Sequence, residues 1–140
     1  MQNFKKISIL VPGGLLAALL LFSCTKKMHF AISPVVPAAQ GTVKYKKDNN
    51  NNYTIELKIL HLADPEKLTP SKSTYVFWME TEQNGLKNLG QISSSTGLLS
   101  STKKATLSAV TPFVPKNFFI TAEEDGSISY PGSTVVLRTR

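Results

Sequence analysis

Apolar and polar residues alternate along most of this chain after residue 40, with a period of two. This is the period of a β-strand with one buried face, because successive side chains of a strand point to opposite sides. Turn-forming Asn, Asp, Gly and Pro separate the alternating segments, and no stretch shows the apolar period of an amphipathic helix. The pattern predicts seven strands, at residues 41–46, 53–62, 74–80, 86–92, 105–109, 118–122 and 134–138.

Short strands at regular spacing, with turn signals between them, are typical of two antiparallel sheets packed face to face. The sequence therefore predicts an all-β fold: an antiparallel immunoglobulin-like β-sandwich of about seven strands. A small barrel is the alternative, because it would show the same alternation.

The strand predicted at residues 74–80 is the most aromatic, and it contains the single tryptophan. One of its faces carries Val76 and Trp78, and the other carries Tyr75, Phe77 and Met79. A sheet in a sandwich packs only one face on the opposite sheet, so the other face needs a separate cover.

Tyr75, Phe77 and Met79 are therefore candidate partner-binding residues, because aromatic residues and Met are enriched at interface cores. The alternative is that the loop at 63–73 or the N-terminal segment covers them.

The first residues have the features of an export signal. Lys5 and Lys6 precede an apolar stretch, residues 7–22, that is shorter than the roughly 20 residues of a bilayer span. The stretch ends in Leu21-Phe22-Ser23-Cys24, which resembles the lipobox of bacterial lipoproteins. The resemblance implies cleavage between Ser23 and Cys24 and acylation of Cys24, with palmitate among the acyl groups. A free structural thiol, an ordinary signal peptide and an uncleaved anchor are the alternatives.

The predicted organisation has three parts: a lipoprotein signal peptide at 1–23, a tether at 24–40 and a β-sandwich domain at 41–140. The tether carries two prolines, which extend and stiffen the chain, and shows little periodicity. In the alternative interpretation, Phe30, Ile32 and the Val35–Val36 pair pack on the domain as an additional strand.

The residues available for catalysis or metal binding are few. The chain has one cysteine and two histidines, so acylation of Cys24 would leave no thiol for a disulfide, a nucleophile or a metal. His61 and Asp64 are the one candidate pair for a hydrolase, and no Gly-x-Ser-x-Gly motif accompanies them. The acidic turn at residues 123–125 lacks the spacing of a calcium loop. We therefore expect a protein that is not an enzyme and binds no cofactor or metal.

The chain is basic, with 16 Lys and Arg against 9 Asp and Glu and a net charge of +7. Its positive residues are spread along the predicted strands rather than gathered in a nucleic-acid motif. We expect solvated strand faces with some attraction to anionic headgroups, and no nucleic-acid partner.

Several short segments also occur in the order known from one bacterial family. They are Leu60-His61-Leu62, Tyr75-Val76-Phe77-Trp78, Asn88-Leu89-Gly90, Ile120-Thr121-Ala122-Glu123, Tyr130-Pro131-Gly132-Ser133 and Val135-Val136-Leu137. Together they resemble the extracytoplasmic C-terminal domain of anti-sigma-K (RskA-type) factors and related small domains of unassigned role. Members of that family carry a sigma-binding segment and a membrane helix before this domain, where this chain has a lipoprotein leader. Only the sensing or binding half of that role is therefore implied here.

These observations predict a lipid-anchored, non-enzymatic binding, interaction or sensing module of the bacterial cell envelope. We expect its domain to be extracytoplasmic, on the periplasmic side rather than the cell surface, with an envelope protein or glycan as partner. A small hydrolase acting on envelope polymers is the alternative function.

Overall fold

The computed structural model describes residues 24–95 and 103–140. The predicted signal peptide at 1–23, including Ser23 of the cleavage site, lies outside these residues, as does the segment 96–102.

The described chain is built almost entirely of β-strands, as the alternation predicted. Its one helical element is a short 3₁₀ turn at Pro65–Lys67. The strands are β1 (Lys26–His29), β2 (Gln40–Lys47), β3 (Tyr53–Leu60), β4 (Thr74–Thr81), β5 (Leu86–Ile92), β6 (Ser94–Ser95), β7 (Lys104–Thr111), β8 (Pro115–Glu123) and β9 (Val135–Arg138).

Two antiparallel sheets make up the fold. One has the strand order β1-β2-β3-β7-β6, and the other has the order β5-β4-β8-β9. The orders β2-β3-β7-β6 and β5-β4-β8-β9 correspond to the A-B-E-D and C′-C-F-G sheets of immunoglobulin sandwiches. The predicted antiparallel immunoglobulin-like β-sandwich is therefore confirmed, with β1 as an additional edge strand and the two-residue β6 completing the first sheet.

The main core lies between the sheets and is formed by the inward side chains of both. From the first sheet Val43, Ile55, Leu57 and Ile59 are at most 2% exposed. From the second come Tyr75, Phe77, Met79, Phe118 and Ile120. The rings of Phe77 and Phe118 stack with their centroids 5.5 Å apart. This apolar layer supplies the burial that holds the domain together without a disulfide.

Tyr75, Phe77 and Met79 are thus core residues, and the prediction that they bind a partner is wrong. Their side chains are at most 3% exposed. The alternative cover proposed for them is partly present, since the Tyr75 hydroxyl donates a hydrogen bond to the carbonyl of Ala63 at 2.9 Å. Leu68 from the same loop packs on the core cluster. The opposite sheet covers the rest of the face formed by Tyr75, Phe77 and Met79.

The other face of β4 forms a second, smaller apolar cluster. Val76, Trp78 and Phe119 are buried there, with Ile128 and Val135 packed against them. The segment 124–134 covers this cluster. Asn88 holds the segment in place, because its Nδ2 donates hydrogen bonds to the carbonyls of Gly126 (3.0 Å) and Ile128 (2.8 Å). Both faces of β4 are therefore covered from within the chain.

The N-terminal segment is part of the domain, so the tether predicted at 24–40 is wrong for residues 26–39. β1 pairs with the edge of β2 over four residues, which satisfies backbone groups that an edge strand leaves open. Phe30 then bridges to Thr139 next to β9, and Phe30, Val36 and Ala39 are buried. Phe30 therefore packs as the alternative interpretation expected, whereas Ile32 is 86% exposed.

Candidate functional site

The outward face of the first sheet carries five lysines, which we call the lysine face: Lys27, Lys44, Lys46, Lys58 and Lys104. All five are exposed, and each alternates along its strand with residues directed towards the core. Lys27 lies directly opposite Lys44 across the β1–β2 pair. Since neighbouring strands are about 4.8 Å apart and residues i and i+2 about 7 Å apart, the lysines form a compact positive array.

The positive charge of the lysine face is not neutralised by ion pairs. Glu56, in register with Lys44, is the one acidic residue that the described strands place on this face. The ion pairs found in the described residues lie elsewhere and join Lys67 and Lys103 to Asp64, Lys72 to Glu124, and Lys116 to Glu80. The five ammonium groups are therefore available to an anionic partner.

Shallow grooves run between these lysines, and hydroxyl groups line them. One, of about 290 Å³, contains Lys27, His29, Thr42 and Lys58. A second, of about 230 Å³, contains Lys44, Lys58 and Lys104 together with Thr106 and Ser108. Hydroxyls both donate and accept hydrogen bonds, so the face offers neutral polar contacts beside its charges. The lysine face can therefore bind anions through exposed ammonium groups that remain in contact with water.

A cleft lies at one end of the sandwich, beside Tyr75. It has a volume of about 380 Å³, and Asp64, Glu66, Ser73 and Gln91 are among its other lining residues. Burial raises the pKa of Tyr75 to about 12, and the charge of Asp64 adds to the effect. The Tyr75 phenol is therefore a neutral hydrogen-bonding group at ordinary pH, and its proton is directed to a backbone carbonyl.

The structure gives Asp64 partners other than His61. Hydrogen bonds from Lys103 and Lys67 hold the pKa of the Asp64 carboxyl below its usual value, so it is ionised and paired with these two lysines. His61 is exposed and has a left-handed backbone, with φ 58°. The candidate hydrolase pair is therefore not assembled as the sequence suggested.

The three carboxylates of the acidic turn at 123–125 each have different hydrogen-bond partners. Glu123 is buried at the end of β8, where its Oε1 accepts a hydrogen bond from the Gly132 amide at 2.7 Å. Hydrogen bonds from Lys72 and Ser73 lower the pKa of Glu124, and hydrogen bonds from Ser127 lower that of Asp125. Across residues 24–95 and 103–140, no group of three or more His, Cys, Asp or Glu is arranged to hold a metal ion.

Cys24 is exposed at the start of the described chain, where a lipid could reach its sulfur. Among the described residues, no helix has the length and apolar character needed to cross a membrane. Comparison with models of protein families, with characterised proteins and with solved structures finds no match to this chain. Acylation of Cys24 and the resemblance to anti-sigma-K domains therefore stay predictions.

Only part of the lysine face could be predicted from the sequence. The period of two in the strands predicted at 41–46 and 53–62 puts Lys44, Lys46 and Lys58 on the polar face. Lys27 was assigned to the tether, and the position of Lys104 beside Leu60 follows from the pairing of β3 with β7. The array therefore depends on contacts between strands that are distant in sequence.

Proposed function

We propose that this protein is a non-enzymatic binding module of the bacterial cell envelope, anchored by lipid on Cys24, whose lysine face binds an anionic glycan. The ligand would be an envelope polysaccharide that carries carboxylate or phosphate groups. The observation that supports this proposal is the array of five lysines, without ion pairs, on the outward face of the first sheet.

The shape of the face favours an extended polymer. Small-molecule sites are concave and bury most of their ligand, whereas this surface is a sheet with shallow grooves between lysine and hydroxyl side chains. Lysine ammonium groups sit on flexible stems, so they adapt to anionic groups of irregular spacing. A face of lysines without arginine therefore suits a chain of separate charges better than one ligand of fixed geometry.

The composition of the face favours a glycan over a protein partner. Cores of protein interfaces are enriched in aromatic residues and depleted of lysine. Here the lysines are interspersed with Thr42, Thr54, Thr106 and Ser108, whose hydroxyls match the hydroxyl groups of a sugar chain. An exported domain also meets acidic polysaccharides more readily than nucleic acid.

Binding of the acylated protein to polygalacturonate, a carboxylate polymer, would test this proposal, with neutral dextran as the control polymer. The variant Lys44→Gln/Lys58→Gln/Lys104→Gln removes three charges from the lysine face. The matched variant Lys67→Gln/Lys72→Gln/Lys116→Gln removes three charges that are paired elsewhere.

We expect the first variant to weaken binding by about a hundredfold, since each of its three lysines contributes about 1 kcal/mol near an anionic surface and every 1.4 kcal/mol is a factor of ten. We also expect a smaller dependence on salt, because fewer charges are screened. The matched variant should bind nearly as the parent does. Equal losses in both variants would assign the binding to net charge alone, and the absence of any binding to polygalacturonate would overturn the ligand class.

A further inference from the structure

Cys24 is separated from the folded body by one residue. β1 begins at Lys26, so Thr25 is the whole connection between the anchor site and the sheet. An extended residue spans about 3.5 Å, which leaves only about 7 Å between the Cα atoms of Cys24 and Lys26. A membrane attachment through Cys24 would therefore hold the sandwich against the lipid headgroups with no spacer.

The position of Cys24 identifies the end of the sandwich that would face the membrane. Lys26 pairs with Tyr45 near the end of β2, so Cys24 lies where the chain turns at 48–52, 82–85 and 112–114. We call this region the Cys24 end. Cys24 shares a depression of about 230 Å³ there with Lys26, Lys46, Tyr53 and Val114, among other residues.

This end combines exposed apolar side chains with tyrosines and lysines. Val110 is 66% exposed, Val114 41% and Leu86 39%. The rings of Tyr45 and Tyr53 lie 6.4 Å apart, both half-buried. Tyrosine is enriched at membrane–water interfaces, and lysines near the surface are attracted to anionic lipids. The residues around Cys24 therefore suit the headgroup region of a bilayer.

We propose that the Cys24 end is a membrane-contact surface, with Val110 and Val114 in the interfacial layer and Lys26 and Lys46 against anionic phosphates. This inference rests on the attachment at Cys24 that the proposed function includes. In this orientation Lys46, at the edge of the lysine face, meets the headgroups, and the other four lysines of that face stand beside the bilayer. The cleft beside Tyr75 then points away from the membrane, because it lies at the opposite end of β3 and β4.

Depth measurements with single labels would test this orientation. Cys24 is the only cysteine in the chain, so acylation leaves an introduced cysteine as the sole reactive thiol. Three variants of the full acylated chain sample three surfaces: Val114→Cys at the Cys24 end, Thr106→Cys on the lysine face and Ile32→Cys in the exposed segment before β2. Each would carry an environment-sensitive fluorophore in vesicles of phosphatidylglycerol and phosphatidylcholine with spin-labelled headgroups.

We expect a blue shift and strong quenching at position 114 only. Quenching at position 106 equal to or greater than that at 114 would mean that the domain lies on its lysine face, and would overturn the proposal. An unquenched label at 114 would do the same.

The unsubstituted protein separates failure of this inference from failure of the proposed anchor. If its thiol is blocked and the label at 114 stays unquenched, only the orientation is wrong. If its thiol reacts with the fluorophore, the anchor itself is wrong, and the membrane-contact surface that depends on it is overturned as well.

Discussion

The indole Nε1 of Trp78 donates a hydrogen bond to Thr121 Oγ1 at 2.8 Å, diagonally across the β4–β8 pair. Both residues are fully buried, yet they lie on the outer face of their sheet, away from the main core. The single tryptophan therefore belongs to a second apolar cluster, which exists because the segment 124–134 covers it. Its fluorescence should report on this cover.

Replacing Thr121 with Val should destabilise the protein by about 1–3 kcal/mol, because it leaves a buried indole N–H without an acceptor. Thr121→Ser retains the hydroxyl and loses one methyl group, so its cost should be about 1 kcal/mol or less. Urea denaturation followed by tryptophan fluorescence would measure both values. A Thr121→Val protein as stable as the parent would show that the indole finds another acceptor.

Phe77→Ala should lower the free energy of unfolding by about 3–5 kcal/mol, because the ring is fully buried and stacked on Phe118. Val110→Ala is the control, since this side chain is mostly exposed and should change stability by about 0.5 kcal/mol at most. Urea denaturation followed by circular dichroism would measure the free energy of unfolding of both variants. Similar stabilities for the two variants would contradict the core position of Phe77.

Tyr75 should make stability depend on pH in the alkaline range. The folded protein raises the pKa of Tyr75 from 10.0 to about 12, so folding favours the protonated phenol. The resulting contribution is fully present below pH 10. It is lost as the pH rises towards 12, because the unfolded chain releases the proton first.

The comparison with Tyr75→Phe isolates this effect from the titration of the lysines. The stability of the parent relative to Tyr75→Phe should fall as the pH rises from 10 to 12. A constant difference in the free energy of unfolding between the two proteins from pH 10 to 12 would contradict the raised pKa of Tyr75.

A side chain at Gly41 should destabilise the protein, because β2 packs there against the N-terminal segment. A Cβ atom at this position would lie 2.9 Å from Phe30 Cδ2 and 3.0 Å from the Lys58 carbonyl oxygen. The first distance is shorter than the 3.5–4.0 Å of a favourable contact between carbon atoms, and the second presses the Cβ against a backbone oxygen of the neighbouring strand. Gly41→Ala should therefore cost about 1–3 kcal/mol, measured by thermal or urea denaturation.

The double variant Phe30→Ala/Gly41→Ala tests whether Phe30 is the cause. Its destabilisation should be smaller than the sum of the two single effects, since the side-chain part of the clash is gone. The Lys58 carbonyl remains, so the relief should be partial. Strict additivity would show that Phe30 does not constrain Gly41.

The strands of this protein were predictable because their signal is local. Alternation along one strand requires no partner, and it correctly placed Val43, Ile55 and Ile59 inward and Lys44 and Lys58 outward. The turn at residues 48–52 joins β2 directly to β3, so this pairing also follows from neighbouring residues. The fold class could be predicted from such signals alone.

The candidate site could be predicted only in part, because its remaining members come together through distant pairings. Lys27 joins the lysine face when β1 pairs with β2, and Lys104 joins it when β7 pairs with β3. The segment around Lys27 has no alternation strong enough to mark a strand. Backbone groups at the edge of β2 and the burial of Phe30 hold it in place.

The two faces of β4 show the same division. The sequence by itself determined that the strand is apolar on both sides and that each side needs a cover. The sequence did not show which side faces the other sheet, because alternation assigns residues to the two faces of a strand without identifying what packs on each face. Only the tertiary structure decided that Phe77 meets the other sheet and Trp78 meets the segment 124–134. The physical reason is that most of each cover comes from residues distant in sequence, whose packing on β4 is not specified by any local pattern.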